Sequence, residues 1–241
     1  MAGTTLKTEA IVLRSIRYGE ADRILHLYSA KRGRIGAIAK GVRRPRSRFG
    51  GRLEPFFRLD MVLHEGRGEL LTVTGVSTVD GYPRLRSSAD ALGAGARACD
   101  AVLRLLDSAE PNPPAYNLLC RYLALLDDPA TTAAGGLETA LSFRLKLALA
   151  AGFSPELASC ARCGEAEHLV GFSGAAGGVV CAGCEAGAFP LSAEAHRFMV
   201  EAIGSPLLEA PAAEEGALRQ AERAIAETLE HHAHVQLRPA A

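Results

Sequence analysis

The sequence predicts an α+β multidomain chain, with a five-stranded β-barrel at its N-terminus and an all-α bundle after it that carries a cysteine-rich insert. Three observations predict this. Apolar and polar residues alternate at period two in short runs up to about residue 80; apolar spacings of three and four take over from Ser87; and four of the six cysteines fall into two tight pairs. At 241 residues the chain exceeds the common domain size of roughly 100–200 residues, so several domains are expected. We place a basic barrel domain at residues 1–80, a helical domain at 81–155 and 190–241, and the insert at 156–189.

The clearest strand runs from Phe56 to His64, where Phe57, Leu59, Met61 and Leu63 alternate with Phe56, Arg58, Asp60 and His64. The turn residues Glu65-Gly66-Arg67-Gly68 follow, and Leu70–Val76, rich in Val, Thr and Leu, returns as the partner strand of a hairpin. Earlier strands are read at Ala10–Tyr18, Ile24–Ser29 and Arg34–Lys40, separated by Gly19-Glu20-Ala21-Asp22 and Lys31-Arg32-Gly33. Five short strands with a long third connection fit a small closed barrel of the OB type. An SH3-like barrel is the alternative, and periodicity does not separate the two.

Helices begin after Ser88, which suits an N-cap. The first carries the stripe Leu92, Ala96, Cys99, Leu103 and Leu106 and ends before Pro111–Pro114; the second runs through Leu118, Leu119, Tyr122, Leu123 and Leu126. A third spans about Leu137–Ala151 and stops at Gly152 with Pro155 beyond; it is apolar on so many sides that it belongs at the bundle centre. After the insert come helices at Ser192–Ile203 and Ala212–His232. The last presents Leu218, Ala221, Ile225 and Leu229 on one stripe that completes the core, and the tail from Gln236 is expected to fray. Trp is absent and aromatics make up only 5% of residues, so Ala, Leu and Val supply most of the buried surface.

Cys160-Ala161-Arg162-Cys163 and Cys181-Ala182-Gly183-Cys184 form a C-x2-C, x17, C-x2-C pattern, a spacing suited to zinc. Two intervening residues let both thiolates of a turn face one ion, with Gly164 and Gly183 easing the turns. Four thiolates complete a tetrahedron and leave no position for water, so one structural Zn2+ is expected. The rival readings are chance pairs and redox dithiols, and a thioredoxin-type dithiol sits at a helix start rather than in a Gly-rich knuckle. His168 lies between the pairs and reads as a surface residue, while Cys99 and Cys120 read as core. The full expectation is thus an N-terminal five-stranded OB-type barrel followed by an all-α bundle with an inserted four-cysteine zinc knuckle. The metal would staple a module short of large apolar side chains.

The formal net charge is zero, yet residues 1–80 hold 15 Lys/Arg against 8 Asp/Glu, which leaves 12 against 19 in the remainder. Six cations fall within residues 40–52, at Lys40, Arg43, Arg44, Arg46, Arg48 and Arg52, with no carboxylate in the run. Such a run repels itself unless a polyanion neutralises it. With Lys31, Arg32 and Arg34 it marks a candidate nucleic-acid surface. Phe49, with Phe56 or Tyr28 as further rings, is assigned to base stacking, so the expected ligand is single-stranded DNA, with duplex DNA bound more weakly. A solvated basic loop is the bland alternative. Pro45, Gly50 and Gly51 argue against a membrane-surface helix.

No G-x-x-x-x-G-K-[ST] occurs, neither cysteine pair has the H-x-E partner of a zinc deaminase, and Gly171-Phe172-Ser173-Gly174 lacks nucleophile-elbow spacing. A non-catalytic role follows as the expectation. Residues Met1–Lys7 do not begin a signal peptide and no apolar run of membrane-spanning length occurs, so a cytoplasmic, nucleoid-associated protein is expected.

The chain resembles the bacterial recombination mediator family RecO at Thr8-Glu9-Ala10-Ile11-Val12-Leu13, Tyr18-Gly19-Glu20-Ala21-Asp22-Arg23-Ile24, Ala39-Lys40-Gly41-Val42-Arg43-Arg44 with Ser47-Arg48, and Leu53-Glu54-Pro55-Phe56. The resemblance continues through Phe143-Arg144-Leu145-Lys146 and Gly152-Phe153-Ser154-Pro155 into the first cysteine pair. It implies an OB fold, a helical C-terminal domain, and binding and annealing of single-stranded DNA in repair and homologous recombination. It also implies contact with the tail of the single-strand-binding protein, a complex with RecR, and indirect action on RecA. Lys40, Arg43, Arg44 and Arg48 match the family's basic motif. The alternative function is a protein-interaction adaptor whose acidic half recruits partners and whose DNA binding is incidental.

Overall fold

The computed structural model describes residues 4–66, 68–130 and 136–240, so Arg67 of the expected turn and Met1–Gly3 lie outside the described residues. The chain clusters into two compact units, Met1–Asp128 and Pro129–Ala241.

In the first unit, β1 (Thr5–Tyr18), β2 (Asp22–Ser29), β3 (Gly33–Ala39), β4 (Arg58–His64) and β5 (Leu71–Asp80) close a barrel in the order β1-β2-β3-β5-β4. Closure needs β1 to serve two partners. Its first half pairs with β4 from Thr5↔His64 to Ile11↔Arg58, its second with β2 from Ala10↔Ser29 to Tyr18↔Asp22, and a register shift between Val12 and Arg14 accommodates the change. A short parallel contact, Ala37↔Leu71 and Ile38↔Thr72, joins β3 to β5. This Greek-key order is that of the OB fold and settles the barrel type. Leu59, Met61 and Leu63 point into the core as their alternation predicts, together with Leu25, Leu27 and Ala37.

Helices α1 (Ala89–Leu105) and α2 (Pro113–Asp127) belong to the same unit. Ser88 caps α1 by accepting from the Ala91 N–H, and Asn112 caps α2 by accepting from Ala115, with Pro113 and Pro114 opening that helix. The expected stripe on α1 is rotated by about one residue. Leu92 and Ala96 are exposed, Leu103 and Leu106 are half-buried, and the covered face is Ala91, Ala94, Gly95, Ala98 and Val102. Close approach selects this small-residue face: a Cβ on Gly95 would lie 3.3 Å from the Phe56 ring and 3.6 Å from Leu123 and Leu85. Cys99 is buried as expected, while Cys120 is half-buried.

A hydrogen bond from α2 to an ion pair within the barrel ties the two together. Arg58 Nε donates to Glu9 Oε1 at 2.7 Å, and the Tyr116 hydroxyl donates to the same oxygen. Burial by itself would raise the Glu9 carboxyl, but these two donors hold it below the usual carboxylate range. A carboxyl with a depressed folded pKa contributes stability that is complete above its unfolded value and disappears as pH falls through the folded value. Glu9→Gln is therefore expected to cost about 1–2 kcal/mol at pH 7, and the difference from wild type should shrink below about pH 4. All five tyrosines lie in the first unit, so urea unfolding followed by tyrosine emission reads this effect alone. A difference that grows towards low pH would contradict the assignment.

The second unit holds α3 (Leu137–Ala150), α4 (Ala193–Gly204) and α5 (Glu215–Ala233), with α3 packed on both others. The helices thus divide between the two units, α1 and α2 with the barrel and α3–α5 with the insert. The patterning shows which faces are covered without showing what covers them, and α2 is already satisfied by the barrel, where Tyr116 stacks on Tyr28. Within α3, Leu141, Phe143, Leu145, Leu147 and Ala148 are buried, and Gly152 at φ +85° ends the helix. On α5 all four residues of the expected stripe are buried. The tail is held where fraying was expected: Ala240 N–H donates to Glu222 at 2.6 Å, and Arg144, itself paired with Glu222, donates to the Arg238 carbonyl.

The insert forms a three-stranded sheet, β7 (Gly178–Cys181), β6 (Leu169–Ser173) and β8 (Phe189–Pro190) in that order. It is richer in apolar packing than expected, because Phe172, Val179, Val180 and Phe189 are buried. Its β6–β7 turn sits on α5, where His232 Nε2 lies 2.8 Å from the Gly174 carbonyl and a Cβ on Gly174 would meet Glu227 Cβ at 2.6 Å. Among the described residues, no helix is long and apolar enough to cross a membrane.

A candidate metal centre and a candidate nucleic-acid interface

The first cysteine pair lies in a tight turn. Cys160 N–H donates to the Glu165 carbonyl at 2.7 Å, Gly164 N–H donates to the Cys160 carbonyl at 2.8 Å, and Gly164 adopts φ +80°, which favours glycine. The second pair begins where β7 ends at Cys181, and a 3-10 turn over Ala182–Cys184 delivers Cys184. Gly183 lies in that turn without a positive φ, so its expected role in easing the backbone is not needed.

The four sulfurs all lie within 4.8 Å of one another, with Cys163 and Cys181 at 3.7 Å. Thiolates bound at about 2.3 Å to one tetrahedral ion sit about 3.8 Å apart, so the spacing suits a single metal ion. His168 is exposed and stands outside this group. The electrostatics agree with the geometry. Burial opposes ionisation of Cys160, yet the backbone N–H groups around it bring its thiol down to about 6. Cys184, crowded by Cys163 and Cys181, is pushed up to about 12. One sulfur ionises readily and its neighbours then resist, a conflict that a bound dication removes. Arg162, which the sequence reading passed over, braces the site by donating to the carbonyls of Cys184 at 2.6 Å and Ala186 at 2.8 Å.

The connection from β3 to β4 is a succession of turns whose apolar residues Val42, Phe49 and Leu53 enter the barrel core. Two hydrogen bonds fix its start beside the β1–β2 turn, Gly41 N–H to Asp22 Oδ1 at 2.7 Å and Arg43 N–H to the Ala21 carbonyl at 2.9 Å. With the backbone pinned from inside, Lys40, Arg43, Arg44, Arg46, Arg48 and Arg52 are left exposed. Among the described residues none of these six is paired with a carboxylate. The ion pairs of the barrel are Arg23–Glu54 at 2.8 Å, Arg58–Glu9 at 2.7 Å and Arg32–Glu65 at 3.4 Å.

Two parts of the expected surface change. Phe49 is 3% exposed, Phe56 6% and Tyr28 1%, so none presents a face to a base: Phe49 anchors the loop in the barrel core, Phe56 lies against Gly95 of α1, and Tyr28, on β2, stacks on Tyr116. The Phe49 ring is instead capped by Arg48, whose guanidinium lies 4.9 Å from its centroid. Lys31, Arg32 and Arg34 also separate from the rest. They lie at or near the β2–β3 turn, at the far end of an eight-residue strand that spans about 26 Å at about 3.3 Å per residue. There Lys31 donates to the Lys7 carbonyl, Arg32 pairs with Glu65, and Arg34 reaches the Leu103 carbonyl. Conversely, Arg14 and Arg17 are exposed on the half of β1 that leads to the β1–β2 turn, and only strand alternation could have signalled them.

Against known proteins, the family model described as Recombination protein O N terminal matches residues 1–82, and that described as Recombination protein O C terminal matches residues 86–239. A protein of Rubrobacter xylanophilus named DNA repair protein RecO is 40% identical over 226 residues, which cover 90% of this chain and 89% of that protein. Its namesake in Anaeromyxobacter dehalogenans strain 2CP-C is 36% identical, with 94% and 91% covered. In Geobacter sulfurreducens the figures are 36%, 83% and 81%.

Proposed function

The chain belongs to the RecO family of DNA repair proteins, and from that premise we propose that it binds single-stranded DNA through the cations of residues 40–52. In this reading it anneals complementary strands and helps load the recombinase RecA onto strands coated with single-strand-binding protein. RecR and the tail of the single-strand-binding protein are its partners, and it acts by binding rather than by catalysis. The four cysteines hold one structural Zn2+, whose preference for closed tetrahedral thiolate sites matches the donor set.

The observation that carries the reading is the row of exposed cations on a backbone pinned by Val42, Phe49 and Leu53. Fixed charges without carboxylate partners keep their field for an external polyanion, and a single strand offers phosphates at matching density. Salt tests this. Affinity for a single strand should fall by about 0.7 log units per log unit of salt for each phosphate neutralised. Reversing Arg43, Arg44 and Arg46 to Glu should flatten the slope by up to about 2. An unchanged slope in the reversed protein would move the interface elsewhere.

A further inference from the structure

The outer face of the β1–β2–β3 sheet is half covered. Near the β2–β3 turn, α1 and α2 close over it: Tyr28 stacks on Tyr116, and a Cβ on Gly33 would meet the Glu110 carbonyl oxygen at 2.2 Å. Towards the β1–β2 turn Arg14, Ile16 and Tyr18 are exposed, and Ile24, His26 and Ile38 are half-buried. The strand registers put Arg14, Ile16 and Tyr18 of β1 on one side opposite His26, Ile24 and Asp22 of β2, with Ile38 of β3 beside Ile24. Tyr18 is 54% exposed and Ile16 37%, and being neighbours on one side of the strand they form a contiguous apolar patch rather than scattered single side chains.

The charge around this patch is positive. Arg14 is exposed on the same side of the strand, and Arg17 is exposed on the other side. Of the nearby acids, Asp22 accepts from Gly41 N–H and Glu54 is paired with Arg23, while Glu20 is exposed at the turn. The turn is also hydrogen-bonded to the start of the cationic segment, through Arg43 N–H and the Ala21 carbonyl. An exposed ring, a flat apolar floor and tethered arginines therefore adjoin one another.

We propose that Tyr18 is the platform on which an unpaired base stacks, over Ile16 and Ile24, while the adjoining phosphates run along Lys40–Arg46. This rests on the DNA-binding reading above and adds what that surface lacks, a contact that distinguishes unpaired bases from backbone charge. A duplex keeps its bases stacked on each other, so the platform favours single strands.

The chain has no Trp and five Tyr, of which Tyr28, Tyr82, Tyr116 and Tyr122 are buried. Quenching of tyrosine emission therefore reports on Tyr18. The zinc-loaded 241-residue protein is titrated into a dye-labelled thymidine 20-mer and a dye-labelled abasic strand of equal length, affinity being read from the anisotropy of the dye and tyrosine emission being followed alongside. The thymidine strand should quench and the abasic strand should bind without quenching. Tyr18→Ala should weaken the thymidine strand about tenfold, the scale of one base–aromatic stack, and leave abasic binding unchanged; Tyr18→Phe should retain wild-type affinity. The four buried tyrosines report that each variant is folded. Equal affinity of Tyr18→Ala and wild type for the thymidine strand overturns the platform while leaving the cationic surface intact, as does an equal loss on the abasic strand. Binding of neither single strand by the wild type overturns both readings.

Discussion

Removing the metal should open the two cysteine turns of the insert to proteases while leaving the barrel unit intact. The four sulfurs converge within 4.8 Å, and without a cation two or more thiolates at that distance repel. Zinc-finger peptides gain about 10–16 kcal/mol from the ion at neutral pH. The gain here is smaller, because β6–β8 have an apolar core of their own around Phe172 and Phe189 and rest on α5. Cleavage after chelation should therefore map to residues 160–168 and 182–188, with the β6–β7 hairpin cut later. Cys181→Ser should reproduce the pattern, and a chelator should then add nothing. Equal protection with and without metal would remove the structural role.

The same insert shows what was legible in the sequence. Cysteine spacing is a local property, and it identified the ligand set; Phe172 and Phe189 are 17 positions apart and pair only because β6 and β8 are neighbours, which no local pattern encodes. In the barrel, alternation located all five strands but missed Thr5–Glu9, because that half of β1 pairs with β4 far along the chain. The α2 stripe was readable since Leu and Tyr mark it. The α1 stripe was not, since its covered face is built of Ala and Gly chosen for closeness rather than apolarity. Charge density found the cationic segment, and arginines next to a phenylalanine look alike whether the ring faces a base or a core.

Phe49 decides between those two roles. Its ring is 3% exposed among Val42, Leu53 and the strand residues of the barrel, so Phe49→Ala should cost about 3–5 kcal/mol. That loss also frees the segment carrying Arg43–Arg48, so weakened DNA binding in this variant would not separate the roles. Phe49→Leu does. It nearly conserves volume and apolarity, costing less than about 1.5 kcal/mol, and it holds the backbone while removing the π face. If the ring serves packing, Phe49→Leu binds a single strand within about twofold of wild type, since a lost base stack would weaken binding by considerably more. A tenfold weakening of single-strand binding with an unchanged thermal midpoint would return Phe49 to the DNA surface. It would also mean that the loop turns its anchor outward on binding.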